Sequence, residues 1–204
     1  MVASLHSGLI SPEAYLKAEQ DRSTKHEYRQ GQVYAMAGAS NTHVLIAGNL
    51  FSMLRSHIRG RGCRAYISDT KVQIESARTY YYPDVAISCD QRDRELKDFL
   101  RHPCLIVEVL SETTEAFDRG DKFNDYQNLE SLQDYVLVSQ TRKRVECFRR
   151  NPEGQWVLYS YNEDDQLYLA SVDFQCAIAD IYEDIDFSAI HQKTPSPVEK
   201  QSEN

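Results

Sequence analysis

The sequence predicts an α/β chain of the α+β kind: a central mixed β-sheet flanked by helices, with additional antiparallel strands. Three observations carry this. Val85-Ala86-Ile87 and Leu105-Ile106-Val107, continued by Val109-Leu110, are short runs with the β-branched content that strands favour. Val44, Ala47, Leu50, Phe51, Leu54 and Ile58 recur at three- and four-residue intervals, the apolar stripe of a helix. In the second half, Tyr135 to Val138, Val145 to Arg149, Trp156 to Tyr161 and Leu167 to Ala170 are aromatic and β-branched segments separated by polar turns. A strand, helix, strand passage followed by consecutive strands makes a mixed sheet with helices on its faces.

Each element has a local reason. Ser11, Pro12 and Glu13 open a short helix over 11–20: a hydroxyl accepts from orphan amides, proline suits the first turn, and an acid complements the positive helix end. Arg29-Gln30-Gly31-Gln32 reads as a turn between two short strands, with Glu27 on the first. Ser40 caps the striped helix, and Gly60 and Gly62 stop it beyond Ile58. Arg64 to Glu75 alternates, with Val72 and Ile74 on one face; a turn then leads to a strand over Tyr80 to Ser88, which brings Asp69 and Asp84 into one sheet.

The polar connector over 90–103 is expected to hold a brief helix through Leu96, Phe99 and Leu100. After the strand carrying Glu108, Ser111 to Thr114 supply capping residues for a helix over about 116–129, weakened by Gly120, that turns Phe123, Tyr126 and Leu129 inward. Asp118, Lys122 and Tyr126 share one face of it at four-residue steps. Asp173 to Ile178 is the final strand and Ala179 to Tyr182 a terminal turn.

At 204 residues the chain is expected to form one domain over 1–191, with a polar, Pro-containing tail fraying over 192–204. It has no apolar run of membrane-spanning length and no signal-peptide pattern at its start, so a cytoplasmic location without a membrane partner is expected. Five cysteines, Cys63, Cys89, Cys104, Cys147 and Cys176, are scattered singly; reduced, mostly buried thiols are expected. A net charge of -8 opposes tight nonspecific binding of polyanions. The run Arg55, Arg59, Arg61 and Arg64 reads either as a local basic patch or as a solvated helix end.

Two acids interrupt the apolar pattern: Asp84 just ahead of one strand and Glu108 inside the next. A buried carboxylate must be hydrogen-bonded, protonated or cation-bound, because burying it unpaired costs several kcal/mol. Asp84 and Glu108 offer hard oxygen ligands for Mg²⁺, with Mn²⁺ as a substitute, and Lys122 is the nearest ammonium for orienting water or stabilising developing charge. Glu27 joins them as an assisting group. From the spacing alone, the same acids read more simply as structural groups that cap loops or pair with arginines.

The segments YYPDVAIS, CLIVEVLSETT and DRGDKFNDYQ, with KHEYRQGQVYAMAGASNTH upstream, resemble the Uma2 or DUF820 family, within the PD-(D/E)XK nuclease-like superfamily. The resemblance runs from about Ser11 to Tyr182 and implies a restriction-endonuclease-like core. It places Asp84, Glu108 and Glu27 on the family's acidic positions and implies a Mg²⁺-dependent endonuclease acting on DNA, most simply as a homodimer. The usual Glu-X-Lys element is altered, since Leu110 stands where the superfamily has lysine; Lys122, on a D-xxx-K-xxx-Y helix, matches a lysine that has migrated. That departure also implies an alternative, a nuclease-fold protein without cleavage that serves as a DNA-binding or protein-interaction module.

Other residues have plainer readings. His26 and His43 are expected at the surface or a helix end, although an unrelated hydrolase using one of them is a third possibility. Asp69 either lines the cleft or ends a strand, and Lys71 either substitutes for Lys122 or faces solvent. Ser111 lacks a Gly-x-Ser-x-Gly elbow and reads as a loop residue or helix cap, and Tyr80, Tyr81 and Tyr82 read as strand packing. Neither a phosphate-binding P-loop nor a dinucleotide glycine loop is present.

Overall fold

The computed structural model describes residues 8–21 and 23–188. The expected tail over 192–204 lies outside the described residues. Helix α1 (Pro12–Glu19), capped by Ser11, precedes a hairpin of β1 (His26–Arg29) and β2 (Gln32–Ala35). Gln30 (φ 50°) and Gly31 (φ 94°) form its two-residue turn, both with the positive φ that matches strand twist. Helix α2 (Asn41–His57) is capped by Ser40. It is followed by β3 (Arg64–Ile67), β4 (Lys71–Ile74), β5 (Thr79–Tyr81), β6 (Val85–Ser88), β7 (Phe99–Leu100) and β8 (Leu105–Leu110).

A bent helix comes next. It comprises α3 (Glu115–Phe117), a π-helical turn over Asp118–Lys122 and α4 (Phe123–Tyr126). The remaining elements are β9 (Asp134–Ser139), β10 (Arg144–Arg150), β11 (Trp156–Asn162), β12 (Gln166–Leu169), β13 (Phe174–Ala177) and α5 (Ile178–Ile181).

The central sheet has the order β11-β10-β9-β8-β6-β3, and a second sheet the order β2-β1-β5-β4-β7. β8 and β9 pair in parallel through the bent helix, while β6 and β8 pair antiparallel, so the central sheet is mixed as expected. All six residues of β8 are buried. Leu105, Val107 and Val109 meet Ile46, Leu50 and Leu54 of α2 on one face; Ile106 and Leu110 meet Phe123, Tyr126 and Tyr135 on the other. Each such aliphatic side chain contributes about 1.5–3 kcal/mol on burial.

Several boundaries differ from expectation. The segment 64–75 is two strands in different sheets, parted at Ser68, whose φ of 56° breaks the extended run. The segment 80–88 also divides, since Tyr82-Pro83-Asp84 carries the chain from the second sheet to the central one and proline donates no amide to a ladder. Phe99 and Leu100 form a strand parallel to β4, because the buried Asp93 carboxylate accepts from the amides of Arg101 and His102 and holds the connector extended. The apolar stripe of α2 buries from Ile46 onward, leaving Val44 58% exposed.

The expectation of five reduced thiols is also corrected. Cys63 and Cys89 form a disulfide, because β3 and β6 pair with Arg64 opposite Ser88 and so bring the two flanking cysteines face to face.

Candidate functional site

The β6–β8 ladder sets the site. Val85 lies opposite Val107 and Ala86 opposite Ile106, so one step outward Asp84 stands opposite Glu108. Glu108 points to the same face as Ile106 and Leu110, beneath the bent helix, and is 4% exposed. On that helix the π-helical turn ends at Lys122, 5% exposed. Such turns are rare and tend to occur at functional sites.

Lys122 reaches the carboxylates. Its Nζ lies 2.9 Å from Glu108 Oε1, 3.2 Å from Glu27 Oε1 and 3.5 Å from Asp118 Oδ1, and 5.3 Å from the Tyr81 ring centroid. Tyr126 Oη donates to Glu108 Oε1 at 3.3 Å, and the Tyr82 amide donates to Glu27 Oε1 at 3.3 Å. Three of the four expected residues, Glu27, Glu108 and Lys122, therefore make direct contacts at one point. Asp84, the fourth, stands beside them with separate partners: its Oδ2 accepts from the Val109 amide at 2.7 Å and its Oδ1 meets His43 Nε2 at 2.8 Å.

His43 lies at a helix end, as expected, but is partly buried and bonded there. It belongs to a chain in which Ser40 Oγ donates to Gln140 Oε1 at 2.7 Å, while Gln140 Nε2 donates to the Leu110 carbonyl at 2.8 Å and lies 3.3 Å from His43 Nδ1. With the glutamine amide as donor to Nδ1, the imidazole proton sits on Nε2 and points at Asp84. Sequence reading misses this link because His43 and Asp84 are 41 residues apart. The only local hint is a histidine in the first turn of a capped helix.

The electrostatics follow from burial. Burial pushes the Glu108 carboxyl well above the usual range; Lys122 opposes this, and Asp118 and Asp84 add to it. Burial alone would lower the Lys122 amine, but Glu108, Glu27 and Asp118 outweigh it and hold the ammonium well above its ordinary value. Lys122 thus stays charged, among more carboxylates than one ammonium can neutralise.

The donor set does not fit a Mg²⁺ ion as it stands. Lys122 occupies the focus of Glu27, Glu108 and Asp118, while Asp84 is turned to the Val109 amide and His43. Among the described residues, no group of three or more His, Cys, Asp or Glu side chains is arranged to hold a metal.

The remaining residues fall outside this point. His26 is buried at the start of β1 and paired with Glu19 at 3.2 Å, unlike the expected surface or helix-end position. Asp69 is an exposed partner of Lys25 at 2.7 Å and does not line the cleft. Lys71 donates to Tyr82 Oη, and Ser111 lies in the loop ahead of α3, its Oγ accepting from the Thr114 amide. Tyr80, Tyr81 and Tyr82 are buried in packing, and Arg55, Arg59, Arg61 and Arg64 are exposed. No described helix is long and apolar enough to cross a membrane.

The sequence matches the model of the Uma2 family, described as "Putative restriction endonuclease", over residues 12–179. It is 42% identical over 178 residues to "Uncharacterized protein slr1290" of Synechocystis sp., spanning 87% of this chain and 94% of that protein. To "Uncharacterized protein sll1609" of the same organism it is 32% identical over 152 residues, spanning 74% and 86% respectively. A crystal structure described as "a putative nuclease belonging to DUF820" from Anabaena variabilis superposes with a TM-score of 0.70 at 16% identity, covering 85% of this chain and 97% of that one. The mixed sheets and flanking helices are therefore a restriction-endonuclease-like architecture.

Proposed function

The chain belongs to the Uma2 family, and from that premise we propose that it is a nuclease-fold protein which does not cleave in the described arrangement and acts as a binding module for DNA or a protein partner. The observation that supports this is the place of Lys122. Its ammonium occupies the centre of the Glu27, Glu108 and Asp118 carboxylates, where a metal-dependent nuclease needs a cation-sized opening. Tyr126 and His43 complete the arrangement by taking acceptor capacity on Glu108 and Asp84.

A second reading is a Mg²⁺-dependent endonuclease acting on DNA, in which Asp84 and Glu108 hold the ion while Lys122 and Glu27 assist. The surplus of acids favours it: Glu27, Glu108 and Asp118 share one ammonium, and Asp84 lies opposite Glu108 across one ladder. A divalent cation would relieve that surplus.

The two readings separate in one experiment. Purified wild type, Asp84→Ala and Lys122→Ala are incubated with plasmid DNA and Mg²⁺ or Mn²⁺, and duplex binding is followed in parallel by fluorescence anisotropy. The binding-module reading expects no cleavage above background in any of the three. Cleavage by wild type that both substitutions abolish would overturn it and establish the endonuclease.

A further inference from the structure

Outside the carboxylate site, three sulfurs gather at the opposite end of the same strands. Cys63 precedes β3, Cys89 follows β6, and Cys104 precedes β8. Cys63 and Cys89 are bonded to each other, and the Sγ of Cys104 lies 3.7 Å from that of Cys89. Cys104 is a free cysteine. Its position is fixed by backbone pairing: its amide donates to the Ile87 carbonyl at 2.8 Å, and its thiol lies 3.4 Å from the same oxygen.

We propose that Cys63, Cys89 and Cys104 form a thiol–disulfide exchange site, in which Cys104 attacks Cys89 and takes over its bond from Cys63. The step is an isomerisation and needs no external oxidant. The Cys104 thiol gives its proton to solvent, and the thiolate forms a new bond to Cys89 Sγ. The bond from Cys89 to Cys63 breaks, and Cys63 leaves as a thiolate that takes up a proton. Cys89 is the shared sulfur because it is the one that Cys104 contacts.

The exchange changes what the cross-link fastens. In the described state it ties β3, the edge strand of the central sheet, to β6. After exchange it ties β6 to β8, the strands that set Asp84 opposite Glu108, and β3 keeps only its ladder.

The environment of Cys104 sets the pace. Burial pushes its thiol up to about 11, the Asp134 and Asp93 carboxylates add to this, and backbone amides oppose it. The nucleophile is the thiolate, so exchange is slow near neutrality and accelerates by about a hundredfold between pH 7 and pH 9, following the thiolate fraction. Cys147 and Cys176 are buried and serve as internal controls.

Peptide mapping tests the proposal, because cleavage after lysine and arginine puts Cys63, Cys89 and Cys104 on separate peptides spanning 62–64, 79–92 and 102–119. Full-length oxidised protein is held without reductant at pH 7 and pH 9, quenched in acid at intervals, alkylated in denaturant, digested and analysed by mass spectrometry. The expected result is a peptide pair joined through Cys89 and Cys104 with alkylated Cys63, appearing faster at pH 9 and absent from Cys104→Ser. Cys63→Ser provides a second route: mild oxidation with oxidised glutathione is expected to join Cys89 to Cys104. A wild type that keeps only the Cys63–Cys89 pair at both pH values, together with no Cys89–Cys104 pair in Cys63→Ser, would overturn the proposal. So would purified wild type in which all five cysteines alkylate.

Discussion

Lys122 Nζ lies 2.9 Å from Oε1 of Glu108, with both side chains withdrawn from solvent. A charge pair buried this deeply is costly to form and far more costly to break, since removing one partner leaves the other in a medium that cannot solvate it. The Glu108 strand and the bent helix are thus coupled through this contact.

Lys122→Met tests that coupling. It retains most of the side-chain volume but strands Glu27, Glu108 and Asp118 without their shared cation. A loss of about 3–5 kcal/mol is expected in urea denaturation at pH 7.

Leu110→Lys tests whether the ammonium is interchangeable between helix and strand. Leu110 points to the same face of β8 as Glu108 and is buried, so a lysine there adds a second cation to a place that holds one. The double variant Leu110→Lys/Lys122→Met is expected to be more stable than the sum of the single effects by about 1–3 kcal/mol, read from a double-mutant cycle.

His43→Ala removes the donor to Asp84 Oδ1 but leaves the Val109 amide on Oδ2. The expected cost is about 1–2 kcal/mol, since the contact is charge-assisted but partly open to water. Nitrogen chemical shifts of the wild-type imidazole are expected to report the Nε2-protonated tautomer.

The two coupled groups both lose their contributions as pH rises, in two separate windows. Glu108 has a raised folded pKa, so its contribution is full below its ordinary value of 4.5 and is lost as pH rises through the folded value. Lys122 is also raised, so its contribution is full below 10.5 and is lost only at higher pH. Denaturation profiles are expected to show Glu108→Gln losing less stability than wild type as pH rises from 4.5, and Lys122→Met losing less above pH 10.5.

Much of this arrangement is legible from sequence because its signals are local. The β-branched runs of β6 and β8, the spacing in α2 and the aromatic strands of the second half all declare their elements, and the acids in the apolar pattern mark Asp84 and Glu108. What escapes is set by register and by breaks. Pro83 moves the chain between sheets within a run that reads as one strand. The π-helical turn has no signal beyond Gly120, yet it lies where Lys122 enters the site. The Cys63–Cys89 bond depends on the β3–β6 register, and the His43–Asp84 contact joins a helix start to a strand end. None of these follows from composition or periodicity.

Calorimetric titration of wild type and Asp84→Ala with Mg²⁺ and Mn²⁺ tests the central claim, that Lys122 fills the place a cation would take. Indistinguishable heats of dilution are expected for the two proteins. Saturable binding by wild type that Asp84→Ala abolishes would contradict it.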